Sequence, residues 1–468
     1  KKSIPQDLEE MEYNHPAAWG VAALLGLLSV GLMAQQGWDD HNRSNRYYSV
    51  DSARNLLSSC EPNAILFTGG DNDTFPLWYV QEVEGFRTDV RVCNTSLLGT
   101  DWYISQMKLA AYDSDPLPIS LSEERYRAGT NDVVYVAPHR SLPKDRAKKL
   151  ADEGVELTLM IKLLAENNPY TKLATEDGEE SIIPSQTLLL DISKDIAHIK
   201  EAGFLPSNSD TLLKYPMFWK LPNKKVDKDE LIMLDIIANN RWKRPIYFAP
   251  QLGRDDYLGL EDYFQIEGLA YRLLPVPVGL AMERQREIYV NAELSYQLLL
   301  KEKKHTFKGK EIVRKMYWRS LDNPKVYHNE DYFGFIAQAR EHTYETAKAL
   351  IAEGKKDKAK ELMLFSLKTI PIESITYDIN VAQMVPLLFA VGEEKVATEL
   401  YKKIGEQADL TLSYLEDNRK IRDTYRISQN IFVLGTFAEA LEQNKNPDAD
   451  KYKKLYAKYR KIFENSLR

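Results

Sequence analysis

The sequence predicts an α/β body with a mostly parallel sheet, preceded by one N-terminal transmembrane helix and followed by an all-α, tetratricopeptide-like helical repeat region. Three observations carry that expectation. Residues Ala17 to Ala34 form a run without a charge. Between residues 50 and 280, short apolar runs alternate with glycine punctuation and helical spacing. After about Met282 strand signals vanish, and small and large residues recur at the intervals of paired helices.

The 468 residues suffice for about three domains at roughly 150 residues each. With 62 Lys+Arg against 69 Asp+Glu, the net charge of −7 argues against a dedicated nucleic-acid binder, so no nucleic-acid partner is expected. Hydrophobic residues at 44% and charged residues at 28% exclude disorder, collagen and a disulfide-dense scaffold. The two cysteines, Cys60 and Cys93, lie in no metal-ligand spacing, so no structural zinc and no metal centre is expected. Cys60 precedes the first strand and Cys93 ends the second. Parallel strands would hold them at opposite ends of the sheet, as buried, inert thiols.

The uncharged run is about 27 Å of helix at 1.5 Å per residue, close to a bilayer core of about 30 Å. Trp19 and Trp38 bracket it at interface depth, and Gly20, Gly26 and Gly31 suit close helix packing. A bilayer is therefore an expected partner, with a signal peptide and a buried soluble helix as the competing readings of the run. The chain begins at Lys1 without an initiator methionine, as a cut piece would. Residues 1–16 read as a cytoplasmic or interfacial lead-in, 17–38 as the span and 39–281 as the α/β domain. Residues 282–334 read as a helical connector and 335–468 as the repeats.

Within the body, Ala64 to Thr68 is an apolar strand ending in Gly69-Gly70, and Asp89 to Cys93 is a second. Helical spacing from Pro76 to Glu84 joins them, and a right-handed crossover between parallel strands follows. Val133 to Val136, Thr187 to Ile192 and Pro245 to Ala249 are further strands, and the helix Glu230 to Asn240 feeds the last. The polar stretch from Lys144 to Glu180 reads as an insertion with a helix around Val155 to Ala165. In the C-terminal region Tyr344, Ala347, Gly354, Ala359, Ser366 and Pro371 match a tetratricopeptide repeat in order. Gly392, Ala397 and Tyr401 begin a weaker second copy, and residues 427 to 465 supply a third helix pair.

Ligands of open parallel sheets sit beyond the carboxyl ends of the strands. There the sequence places Asp71, Asn72, Asp73 and Thr74 after the first strand, and Asn94, Thr95 and Ser96 after the second. Three readings of the acidic loop stand side by side: Asp73 or Thr74 caps the next helix, the loop contacts an acceptor or glycan, or Asp71-x-Asp73 holds a divalent metal. Asp101 and Trp102 open the following helix, and aromatic rings beside carboxylates and carboxamides suit sugar recognition. The acceptor or ligand-binding candidates are therefore Asp71, Asn72, Asp73, Thr74, Asn94, Asp101 and Trp102. The histidines form no HExxH motif and no catalytic triad is found, so no catalytic residue is assigned.

Gly70-Asp71, Leu77, Tyr79, Glu84-Gly85, Arg87, Asp89, Trp102-Tyr103 and Met107 occur in an order that closely resembles the soluble C-terminal part of Bacteroidetes multi-spanning membrane glycosyltransferases of the GT-C, protein O-mannosyltransferase-like kind. Matching segments are Trp38-Asp39-Asp40-His41, Arg244-Pro245-Ile246-Tyr247-Phe248 and Glu267-Gly268-Leu269-Ala270-Tyr271-Arg272-Leu273. An animal endoplasmic-reticulum O-mannosyltransferase shares the pattern. The resemblance implies an inner-membrane protein with its body in the periplasm. It further implies a polyprenyl-phosphate sugar donor for the parent protein, no cofactor in this region, and a catalytic acid in a membrane domain outside this chain. The chain would then position an acceptor protein or glycan. A second reading is an envelope scaffold that binds partner proteins through the repeats, and a third is a metal-dependent enzyme at Asp71 and Asp73.

Overall fold

The computed structural model describes residues 16–138, 143–175, 178–205, 213, 216–278, 280–282, 285–287, 289–418 and 422–464. The lead-in before Pro16 lies outside the described residues, as do the side chains of Asp39 and Asp40.

Pro16–His41 is one helix, and its stretch Pro16–Trp38 is long and apolar enough to cross a membrane. Its leucines and valines are exposed, with no protein surface packed over them. Lipid is the solvent that such a surface fits.

The body is built on a six-stranded sheet in the order Tyr289–Val290, Phe264–Glu267, Ala270–Leu273, Ile246–Phe248, Ile65–Thr68, Arg91–Asn94. Ile65–Thr68 runs parallel to both of its neighbours, as its wholly buried ILFT run predicts. The other half departs from expectation. Ile246–Phe248 pairs antiparallel with Ala270–Leu273, which turns back onto Phe264–Glu267. The sheet is therefore mixed, parallel in part only. The cause is a tight hairpin at Gly268-Leu269, where Gly268 takes φ 61°. A Cβ at Gly268 would stand 2.7 Å from Ser59 Oγ, so the site excludes a side chain as well.

Val133–Val136 and Thr187–Leu190 do form strands, but outside this sheet. The first joins a four-stranded sheet with Lys172–Thr175, Gly178–Ile183 and Lys225–Asp227. The second joins Val155–Glu156 and Met217–Lys220. A four-residue apolar run specifies a strand but not its partner. The Lys228–Asn240 helix, capped by Asp227 and Glu230 in a capping box, packs its apolar length between these layers.

The connector is not all helical. After the helix Ala292–Leu300, Glu302–Phe307 and Lys310–Lys315 form an antiparallel hairpin. Arg314, fully buried, pins it to the body: Nε donates to Ser58 O at 2.8 Å, Nη2 to Ser59 O at 2.8 Å, and Nη1 to Glu61 at 2.6 Å. These carbonyls end the Tyr48–Ser59 helix, so the guanidinium satisfies acceptors that a helix terminus leaves open.

Three helix pairs complete the chain: Phe333–Ala352 with Lys356–Thr369, Ile379–Ala390 with Glu394–Asp417, and Thr424–Gln443 with Ala449–Ile462. Gly354 and Gly392, at φ 77° and 82°, turn the first two pairs. Ala347, Ala359 and Ala397 are buried where helices meet. Between the second and third pairs Tyr452 lies so close on Gly405 that a Cβ there would meet its ring at 2.4 Å.

Candidate functional site

The segment expected as an acidic loop is the start of a helix. Gly69 is the N-cap and the helix runs Gly70–Glu82 without a break at Pro76. Asp73 and Thr74 thus lie inside the helix rather than at its cap, although the Gly69 backbone bonds back to the Asp73 carboxyl. Two positions along a helix turn side chains by about 200°. Asp71 is exposed and Asp73 buried, so the two carboxylates do not converge. Among the described residues no group of three or more ligating side chains could hold a metal.

Asn94 and Thr74 lock the two strand ends together. Asn94 Nδ2 donates to Thr74 Oγ1 at 2.8 Å, and Thr74 Oγ1 lies 2.9 Å from Thr68 Oγ1. Asn94 Oδ1 accepts from Leu97 N–H at 2.9 Å and caps the next short helix. Both residues are buried and engaged in internal bonds.

Asp73, only 5% exposed, opens onto a narrow cleft between body and helical arm. Asn72, Trp318, Gln338 and His342 share its lining. Three buried polar atoms here have no partner: Asp73 Oδ2, His342 Nε2 and Trp318 Nε1. Burial pushes the Asp73 carboxyl up to about 7, against the opposing bond from Gly69. His342, 1% exposed, donates from Nδ1 to Gly268 O at 3.0 Å, which leaves Nε2 as an acceptor. Burial holds this imidazole down to about 4. The space inside is about 40 Å³. At 10–15 Å³ per water this holds roughly three waters, and no sugar ring enters it as it stands.

Trp102 stands elsewhere. The Asp101–Met107 helix carries it, 57% exposed, over a second depression of about 500 Å³, a size that ligands occupy. Asp101 turns its Oδ1 to the Trp102 N–H at 3.1 Å. This groove follows the outer edge of Arg91–Asn94, the last strand of the sheet. Trp78 of the Gly70–Glu82 helix forms one side, and Trp102, Tyr103 and Gln106 the other. On its floor Arg91, 5% exposed, donates through Nη2 to Gln106 O and Leu109 O at 3.0 and 2.9 Å, while its Nη1 has no partner. Tyr112 bonds to Glu82 at the far end. The expected residues therefore divide between two places: Asn72 and Asp73 in the cleft, and Trp102 at the groove. Arg91, His342 and Trp318 escaped the sequence reading: Arg91 is a lone polar residue in an apolar strand and reads as core, and nothing local to His342 or Trp318 marks them as meeting in one cleft.

Many residues that carried the family resemblance hold the fold. Arg87 pairs with Asp89 at 2.8 Å in the interior. Arg244 donates to Asn63 O, Asp115 O, Ala64 O and Ser114 Oγ, and burial lowers it to about 10. Arg272 pairs with the fully buried Glu267 at 3.0 Å, and Tyr247 donates to the same carboxylate at 2.5 Å. Cys60 and Cys93 are free, buried and pushed up to about 12 by burial, so neither supplies a thiolate.

Fold and site together define a mixed α/β body with a ligand-sized edge groove, a helical arm and one segment suited to anchor it in a membrane. Residues 49–294, just over half of the chain, match the family of the TMEM260-associated domain 2, and the chain belongs to that family. The match covers the body and stops before the helical arm. No curated protein and no solved structure matches the chain.

Proposed function

We propose that this chain is the membrane-anchored, periplasmic part of a GT-C glycosyltransferase of the bacterial inner membrane. It positions an acceptor protein for sugar transfer from a polyprenyl-phosphate donor, with the catalytic domain outside the chain. The observation that carries the reading is the groove: ligand-sized, walled by Trp78 and Trp102, and floored by an unpartnered guanidinium nitrogen. Holding an acceptor in place removes part of the entropic barrier to transfer without a nucleophile in this region. The helical arm, as a tetratricopeptide-like array, extends the acceptor surface.

The test compares envelope glycoproteins by mass spectrometry in cells with the full-length protein and in cells lacking residues 45–468. Loss of hexose modifications at normal membrane-domain levels supports the proposal; unchanged glycoproteins end it. One observation favours a scaffold as the second reading. Leu410, Tyr414, Tyr425 and Phe432 stand exposed on neighbouring helices of the arm, an apolar surface of the kind that protein partners cover. Under that reading glycosylation survives the deletion and envelope assembly fails.

A further inference from the structure

The edge of the sheet points to the kind of acceptor the groove takes, an inference that rests on the reading above. Along Arg91–Asn94 the backbone alternates. Arg91 N–H donates to Ala64 O at 2.8 Å, toward the neighbouring strand, so Val90, Val92 and Asn94 turn their backbone groups outward. Three of these outward groups are answered from within the chain, the first of them the Val90 N–H, which donates to Arg87 O at 3.1 Å. Gln81 Nε2 donates to Val90 O at 2.8 Å, and Asn94 N–H donates to Tyr103 Oη at 3.0 Å. Val92, between them, has no outward partner for its N–H or its C=O among the described residues, and it lines the groove.

We propose that this groove binds an extended peptide as an added strand. The peptide backbone pairs with Val92, an acidic side chain meets Arg91 Nη1, and an apolar or aromatic side chain packs on Trp102. Strand addition draws affinity from main-chain hydrogen bonds and specificity from side-chain pockets beside the edge. The flanking helices leave an aisle along the edge, and the open pair at Val92 answers a peptide backbone rather than a glycan. Arg91 adds the charge requirement. Its Nη1 is buried without a partner, a state that costs free energy and that a carboxylate relieves by a charge-assisted bond.

The test selects a random octapeptide library against the full chain in lipid nanodiscs. Calorimetry then compares the enriched peptide, its version with the acidic residue changed to Gln or Asn, and its version N-methylated at the central amides. The expected result is an acidic residue at one fixed position and a 10- to 100-fold loss of affinity for each altered peptide, in line with a lost hydrogen bond to a charged group. Trp102→Ala, on an exposed side chain, should weaken binding while leaving the melting temperature unchanged. Peptides that bind equally well as amides or as N-methyl forms overturn the proposal, as does a library with no enrichment over the Trp102→Ala protein. Altering the peptide keeps the test clear of any folding defect from an Arg91 substitution. Cellular glycosylation separates the two levels. If Trp102→Ala abolishes it while peptides show no acid requirement, acceptor positioning stands and the acidic-strand assignment falls. If peptides behave as expected while glycosylation is unchanged, the strand site stands and the transferase reading falls.

Discussion

Replacing Asp73 with asparagine should make the protein more stable above neutral pH and leave it little changed in acid. In the folded chain the carboxyl titrates at about 7, against the ordinary 3.8, because burial disfavours the charged form. Between those two values the folded state binds more protons than the unfolded state, so stability falls as pH rises through the interval. At about 1.4 kcal/mol per pH unit the whole loss is about 4 kcal/mol, of which about 2.5 kcal/mol falls between pH 5 and pH 8. Asparagine keeps an acceptor for the Gly69 N–H and carries no charge to desolvate. Thermal unfolding of the full chain in detergent, followed by circular dichroism, should show the Asp73→Asn protein gaining roughly 2–5 °C on the natural one between those pH values. A constant difference between the two melting temperatures from pH 5 to pH 8 would refute the argument, because the carboxyl would then not be held protonated by the fold.

His342 acts with the opposite sign. It is held at about 4, so stability should fall as pH drops from 6.5, by about 3 kcal/mol once fully expressed. His342→Asn, which keeps a donor for Gly268 O, should flatten that acid limb in the same melts. Arg314→Leu removes the charge that faces Glu61 and strips two helix-end carbonyls of their donors, so denaturant titration should show a loss of about 3–5 kcal/mol. Burial alone would raise Glu61, but Arg314 and Arg272 outweigh it and hold its carboxyl below the usual range, and the variant should release it. Gly405→Ala drives a methyl group into Tyr452 and should cost about 1–3 kcal/mol, read as a lower melting temperature. In this chain expressed alone, Leu27→Arg, near the middle of the candidate span, should cost about 3 kcal/mol of insertion and lower the share of protein in the carbonate-resistant pellet.

Local chemistry made much of the body legible. The apolar ILFT run before two glycines is a buried parallel strand, and VVYV is a strand over the residues expected. The turns at Gly354 and Gly392 fall where left-handed backbone is needed between helices. The same reading missed the hairpin Glu302–Phe307 and Lys310–Lys315, whose Lys308-Gly309 turn separates runs rich in lysine and glutamate. Such runs look like a solvated helix until Arg314 gives one face something to dock on. It also took the GDNDT segment for a loop, because glycines, Asn and Asp are turn formers in isolation. In the fold, the Thr68–Thr74–Asn94 bonds hold that segment as the first turns of a helix.

What the sequence by itself determined is whatever depends on neighbours along the chain: an apolar helix long enough for a bilayer, and several of the strands and helices of the body. Pairing was decided elsewhere. A four-residue strand fits any edge of matching register, so only the packed molecule determines that Ile246–Phe248 runs parallel to one neighbour and antiparallel to the other. The site belongs to the same category. Asp73 and His342 are 269 positions apart, and burial together in one cleft, a property of neither segment alone, moves their pKa values in opposite directions. Arg91 Nη1 likewise stands without a partner beside an open strand edge only in the packed molecule, where the Gln106 and Leu109 carbonyls hold Nη2 and the Tyr103 hydroxyl takes the Asn94 N–H.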